Sequence, residues 1–193
     1  GDRDPDVALA GDGWLKLYAN DGKGKLEELP AKIEGASHAG FPLRLYLLDA
    51  DSDWDLDIIS LWQERAEGGK VRSRVSILNN NRDGSFREIA AEAGVPPLDF
   101  AAVELLAAGF DGDIELGLLV LPGADAEPVV LANDRAWRYR RIPDAGGGAI
   151  PGKSLAGLES AAVGDLDGDG DEDIACFAGG ALRLFRNVGG LRF

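Results

Sequence analysis

The chain has 193 residues, with 20 Lys and Arg against 34 Asp and Glu, which gives a formal net charge of −14. A chain this acidic excludes non-specific binding to nucleic acid or anionic lipid, because both require basic surfaces. A single cysteine and a single histidine exclude a disulfide framework and any zinc site with several such ligands. The apolar runs are far shorter than the roughly 20 residues of a membrane helix, so no membrane insertion is expected.

The first 20 residues, GDRDPDVALAGDGWLKLYAN, recur near the end of the chain. Residues 168–187, GDGDEDIACFAGGALRLFRN, align with them without a gap. The identical pairs are acidic at the start of the segment and apolar or amide at its end: Asp2/Asp169, Asp4/Asp171, Asp6/Asp173, Leu15/Leu182, Leu17/Leu184 and Asn20/Asn187. A match of this length and pattern indicates an internal repeat.

Two further copies lie between these segments. Asp53 and Asp113 match the position of Asp2 and Asp169 in the repeat. From Asp2 to Asp169, the successive aspartates are 51, 60 and 56 residues apart. An apolar residue three positions before an asparagine also recurs four times: Leu17/Asn20, Ile77/Asn80, Val130/Asn133 and Leu184/Asn187. Four such units have the period of propeller blades or solenoid units. We assign them to residues 1–40, 41–100, 101–157 and 158–193.

Short apolar runs bounded by turns predict β-strands in each unit. In the second unit they cover residues 43–48, 57–62, 71–78 and 85–89, and in the last unit residues 159–164, 173–177, 181–185 and 191–193. Residues 88–94, EIAAEAG, are a short helix candidate ended by glycine. Four short strands per unit predict an all-β fold, a β-propeller with about four blades of four-stranded antiparallel sheet.

The first unit begins inside its acidic loop, so its first strand is expected upstream. We therefore expect residues 1–193 to form a single β-propeller, or a fragment of a larger ring. A self-contained ring of four units, closed in an unusual way, is the alternative.

The loop at residues 165–173, DLDGDGDED, alternates aspartates and places glycine at its sixth position. Hard anionic oxygens in a tight turn suit Ca²⁺, whereas Mg²⁺ demands a near-ideal octahedron. The loop is not an EF-hand, because its twelfth position is Cys176 rather than glutamate. The candidate ligands are Asp165, Asp167, Asp169, Asp171 and Asp173.

The loop at residues 49–57, DADSDWDLD, has the same alternation, although Trp54 replaces the glycine and makes the turn harder. Asp2 and Asp6 of the first unit retain the fifth and ninth positions, which predicts a partial site. The third loop, residues 109–117, has glycine at its first and ninth positions and is expected to hold no metal. The candidate ligands of the second unit are Asp49, Asp51, Asp53, Asp55 and Asp57.

Solvated acidic turns are the alternative interpretation of these loops, since aspartate and glycine are ordinary turn formers. Electrostatic repulsion disfavours this alternative. Ionised carboxylates repel by roughly 1 kcal/mol per pair at ~4 Å even in water, and a bound dication removes that cost. The sequence therefore predicts Ca²⁺ at about two sites, with a partial third site at Asp2 and Asp6.

These repeats resemble the FG-GAP/VCBS family of calcium-loop propeller repeats, which is related to the propellers of integrin α-subunits. The matching residues are VGDLDGDGDEDIACF (163–177) and LFRNVGGLRF (184–193), while residues 77–95 are similar to repeats of the cartilage acidic protein/UnbV type. The resemblance implies a propeller, typically of seven blades, with calcium loops between the first two strands of a blade. It also implies an extracellular, cell-surface or periplasmic location.

The interpretation we favour is a non-enzymatic calcium-binding scaffold with a protein or glycan ligand, joined to remaining blades or a larger complex. The alternatives are the propeller portion of a secreted polysaccharide-degrading enzyme, and an accessory subunit of a surface complex. The tryptophans at positions 14, 54, 62 and 137 serve either blade packing or carbohydrate stacking, and blade packing is favoured. His38, in a Gly/Ala/Ser-rich segment, is expected to be a surface loop residue.

Overall fold

The computed structural model describes residues 4–36, 39–110, 115–123, 126–135, 137–142, 157–190 and 192–193. Within these ranges the chain forms four small sheets, which confirms the predicted all-β, β-propeller-like fold. His38 lies outside the described residues. A 3-10 helix, Glu67–Gly69, joins two strands of the second sheet. No helix in the described part of the chain is both long and apolar enough to cross a bilayer.

The strands follow the chain from sheet to sheet. The first sheet contains β1 (Val7–Gly11), β2 (Trp14–Asn20) and β3 (Leu26–Leu29). The second contains β4 (Lys32–Glu34), β5 (Phe41–Leu48), β6 (Asp57–Arg65), β7 (Val71–Asn80) and β8 (Ser85–Glu88). The third contains β9 (Ala102–Ala108), β10 (Gly117–Pro122), β11 (Val129–Asn133) and β12 (Tyr139–Ile142). The fourth contains β13 (Leu158–Gly164), β14 (Asp173–Ala178) and β15 (Ala181–Phe185).

Apart from β4, each sheet is an antiparallel meander of strands that are consecutive in the chain, as in a propeller blade. Within the described residues, only the third sheet has the four antiparallel strands predicted for a blade, since the first and fourth sheets contain three. The second sheet contains five, because β4 is added beyond β8 in a parallel pairing that aligns Ile33 with Phe86. The short strand β4 thus comes from the unit of the first sheet but extends the second. We call the four sheets blades one to four.

Apolar side chains pack between neighbouring blades. The run GLLVLP in β10 is buried along its whole length, as expected for a strand covered on both faces. Leu118 and Val120 belong to a core shared with blade two, whereas Leu119 and Leu121 belong to a core shared with blade four. A third core joins blades one and two: Leu15, Ile58, Leu78 and Phe86. Successive side chains of β10 point to opposite faces of the sheet. One face therefore packs against blade two and the other against blade four.

Two details of the sequence prediction are wrong. Residues 88–94 form no helix, because Glu88 ends β8 and only one turn follows. In that turn, the amides of Gly94 and Val95 donate to the carbonyls of Ala91 and Ala90, the hydrogen-bond pattern that ends a helix. The predicted strand at 191–193 is also not formed at residues 192–193, which are irregular, while residue 191 lies outside the described residues.

Candidate metal centres

Two acidic loops connect the first strand of an antiparallel meander to its second strand, one between β5 and β6 and one between β13 and β14. In each loop, carboxylate oxygens from the first, third and ninth positions lie within 4.8 Å of one another. The two groups are Asp49, Asp51 and Asp57, and Asp165, Asp167 and Asp173. Equivalent positions of two different blades thus converge in the same way.

The ninth-position aspartate of each loop is buried and holds the loop to the blade. The two oxygens of Asp173 accept hydrogen bonds from the amides of Leu166 (3.0 Å) and Asn187 (2.8 Å). Asp57 accepts in the same way from Ala50 (3.2 Å) and Asn80 (3.0 Å). The exposed fractions of Asp57 and Asp173 are only 1% and 2%. Each carboxylate therefore links the loop to the end of the third strand.

The first-position aspartate closes the turn from the other side. Asp49 accepts hydrogen bonds from the amides of Asp53 and Trp54, both at 3.0 Å. The turn requires left-handed backbone at its fourth and sixth positions, where Gly168 and Gly170 have φ of 80° and 91°. Ser52 and Trp54 adopt the same conformation at 64° and 73°. Trp54 therefore keeps the geometry of the glycine it replaces, at a steric cost.

Arginines form ion pairs with carboxylates of both loops, which the sequence analysis did not anticipate. Arg82 contacts Asp53 at 3.1 Å and Asp55 at 2.6 Å. Arg186 pairs with Asp167 and with Asp169, the latter at 3.1 Å. The arginines come from different positions of their repeats, so no shared motif marked them. Asp171 belongs to neither group of converging carboxylates.

The second-blade loop has oxygen atoms that fit a bound cation. Among the described residues, the buried Oδ1 atoms of Asp51 and Asp55 have no hydrogen-bond partner. A buried anionic oxygen without a partner is costly, and a hard divalent cation would satisfy it. The donor set is entirely carboxylate, which suits Ca²⁺ better than the softer transition metals.

Burial raises the pKa of Asp57 from 3.8 to about 7, although the amides of Asn80 and Ala50 favour its ionised form. Burial and the neighbouring Asp53 also raise the pKa of Asp51. Burial acts in the same direction on Asp53, but the Asp55 amide and Arg82 together leave the pKa of Asp53 lowered. Asp51 and Asp57 therefore resist ionisation, while Asp53 is stabilised as an anion.

In calcium-free buffer, we expect the free energy of unfolding to fall as the pH rises from about 4 to about 7. Asp57 binds its proton more tightly in the folded state, since its folded pKa is about 7 and its ordinary value is 3.8. Urea unfolding at pH 5 and pH 7.5 measures the difference. Asp57→Asn, which cannot ionise, should show a smaller difference between the two pH values. A wild-type stability that rises over this interval would contradict the prediction.

The other two loops are only partly described. Asp6, in the first unit, accepts a hydrogen bond from the Asn20 amide at 3.0 Å, while Asp2 lies outside the described residues. Asp111 and Asp113 of the third loop also lie outside them. At the ninth position of that loop, a Cβ added to Gly117 would lie 3.1 Å from the carbonyl oxygen of Leu131. The third blade thus has little room for an aspartate there.

Both candidate loops fall inside segments that match known repeat families. Residues 1–60 match the FG-GAP-like repeat, and residues 158–190 match the FG-GAP repeat. These two segments are FG-GAP-type repeats. Residues 49–57 and 165–173 are therefore the acidic loops of the two matched segments. The finer resemblance to cartilage acidic protein/UnbV-type repeats stays a prediction.

One solved structure to which the chain is similar is a lectin from Agrocybe aegerita that recognises non-reducing terminal N-acetylglucosamine. The two share 16% sequence identity with a TM-score of 0.40, over 97% of this chain and 61% of the lectin. The chain thus spans less than two thirds of the lectin's length. No curated protein matches the chain.

Proposed function

We propose that the chain is a non-enzymatic, calcium-binding β-propeller module that binds a protein or glycan partner in an extracellular, cell-surface or periplasmic setting. Its blades are the repeat units at residues 1–40, 41–100, 101–157 and 158–193. The observation that carries the proposal is the convergence of the same three loop positions in two FG-GAP-type blades, within 4.8 Å in each. Calcium takes 6–8 oxygen ligands at ~2.3–2.6 Å, so three carboxylates supply the anionic part of such a shell.

Calcium has a clear physical role in these loops. The inner aspartates are held close together by hydrogen bonds to backbone amides, so their mutual repulsion cannot be relieved by simple rotation outward. A bound dication offsets this repulsion and favours the ionised form of Asp57. The loops would then become rigid connections between the first two strands of their blades.

The end of the molecule that carries the loops also offers a surface for a partner. Trp54 is 94% exposed, and Leu56 and Leu166 on the same two loops are more than half exposed. A cleft of about 980 Å³ between blades one and two is lined by Tyr18, Leu56 and Arg82, among others. Exposed aromatic and apolar groups beside charged ones are typical of protein- and glycan-binding surfaces.

Thermal unfolding with calcium and with chelator tests the proposal. Calcium at 100 times its Kd should stabilise the folded chain by about 2.7 kcal/mol per site. Magnesium at the same concentration should give a smaller increase in Tm. The matched control combines Asp49→Ala with Asp165→Ala, and its Tm should not respond to calcium. An equal Tm for the wild type in calcium and in chelator would refute calcium binding.

A further inference from the structure

Two side chains of blade three reach across the blade junction to the acidic loop of blade two. Asn133, at the end of β11, donates from its amide nitrogen to the carbonyl oxygen of Ala50 at 3.3 Å. Trp137 donates its indole N–H to Oδ2 of Asp51 at 2.9 Å and shares it with Oδ1 of Asn79 at 2.8 Å. The loop at residues 49–57 is therefore shaped by residues more than 80 positions away along the chain.

The asparagine contact recurs at the next blade junction. Asn187 of blade four donates to the carbonyl oxygen of Phe110 at 2.8 Å. Ala50 and Phe110 are both the second residues of their loops, and Asn133 and Asn187 occupy the same position of the repeat. Both asparagines are buried, with exposed fractions of 2% and 0%. A contact repeated between equivalent residues at two junctions is a regular feature of how these blades pack.

Trp137 also determines which oxygen of Asp51 remains for a cation. Its indole N–H engages Oδ2, whereas Oδ1 is buried and has no hydrogen-bond partner within the described ranges. Asp51 is one of the three aspartates whose oxygens converge in this loop. The tryptophan thus fixes the third-position carboxylate in an orientation that leaves one oxygen unused.

The fourth-blade loop is held differently, which provides an internal comparison. Its third-position carboxylate, Asp167, pairs with Arg186 of the same blade. Arg186 also contacts Asp169, so one guanidinium bridges two loop carboxylates. A change at Trp137 should therefore affect the second-blade loop and leave the fourth-blade loop intact.

We propose that Trp137 and Asn133 are positioning residues for a cation site in blade two, and that a cation bound there fastens blade two to blade three. The inference rests on the proposed calcium binding. Coupling between two equilibria is reciprocal, so a junction that strengthens cation binding is itself strengthened by the cation to the same degree. The Tyr139 amide of blade three donates a hydrogen bond to the Ala93 carbonyl of blade two at 2.7 Å. Exchange of this amide hydrogen therefore measures how tightly the two blades are held together.

Calcium titration by calorimetry of the full chain tests the inference in two backgrounds. Asp165→Ala leaves only the second-blade loop to be measured, and Asp49→Ala leaves only the fourth-blade loop. In each, Trp137→Phe removes the indole N–H and keeps an aromatic ring. The expected result is a roughly ten-fold higher calcium Kd in the first background and an unchanged Kd in the second. Trp14→Phe, on the partly exposed Trp14 of blade one, is the matched control and should alter neither.

Hydrogen exchange supplies a readout of the junction itself. Calcium should slow exchange of the Tyr139 amide in the Asp165→Ala background, and much less so when Trp137→Phe is added. An unchanged Kd in the second-blade loop would overturn the inference while leaving calcium binding intact. Equal weakening of both loops would overturn it as well, because the effect would then not be local. If neither background binds calcium, the proposed function fails and the inference fails with it.

Discussion

Asp173→Ala is expected to destabilise the protein by about 2–4 kcal/mol even in the absence of calcium. Both oxygens of this carboxylate accept backbone hydrogen bonds, one from Leu166 at the start of the loop and one from Asn187 after β15. Alanine leaves both amides without that acceptor. The Asn187 amide is buried, and an unsatisfied buried donor costs about 1–3 kcal/mol, whereas the partly buried Leu166 amide costs less. The substitution also leaves a cavity, because Asp173 is buried with an exposed fraction of only 2%.

Asp171→Ala is the matched control, because it removes a carboxylate from the same loop that makes neither of these contacts. Its effect on stability should stay within about 0.5 kcal/mol, as for ordinary surface substitutions. Urea unfolding in chelator, followed by tryptophan fluorescence, measures both variants. Equal stabilities of the two variants would show that Asp173 does not hold the loop to the blade.

The sequence predicts those parts of the fold that depend on local patterns. Residues 181–185 are correctly predicted as a strand, and residues 173–177 lie within the strand β14. The helix expected at residues 88–94 is wrong, because its alanines and glutamates favour a helix while the chain must turn after β8. The parallel pairing of β4 with β8 was not predicted either, since three exposed or half-exposed residues carry too little pattern.

In the candidate site, too, the sequence predicts what local patterns mark and misses what tertiary packing decides. Alternating aspartates marked both loops, and the structure brings together the first, third and ninth positions of each. The contacts that hold these carboxylates come from distant residues, such as Arg82 and Trp137. Only the recurrence of the asparagine at position 133 gave a signal, and recurrence alone does not say which blade the side chain contacts. Side-chain contacts between blades depend on tertiary packing, which no local spacing encodes.

The calcium stoichiometry should be two ions per chain and should fall to zero when both loops are altered. Each convergent group contains three carboxylates within 4.8 Å, and removing its first-position aspartate also removes the acceptor that closes the turn. We therefore expect one ion per chain in Asp49→Ala, one in Asp165→Ala, and none in the double variant. Calorimetric titration or equilibrium dialysis gives these numbers directly.

Asp111→Asn in the third loop is the control for this series and should leave the stoichiometry at two. That loop has glycine at its first and ninth positions, and a Cβ at Gly117 would come within 3.1 Å of a backbone oxygen. The ninth-position carboxylate, which in blades two and four ties the loop to the third strand, therefore has no counterpart in blade three. Since the loop also lacks a first-position carboxylate, it offers too few anionic oxygens for calcium. A stoichiometry that drops in Asp111→Asn would mean that the pattern of positions one, three and nine is not what selects the metal-binding blades.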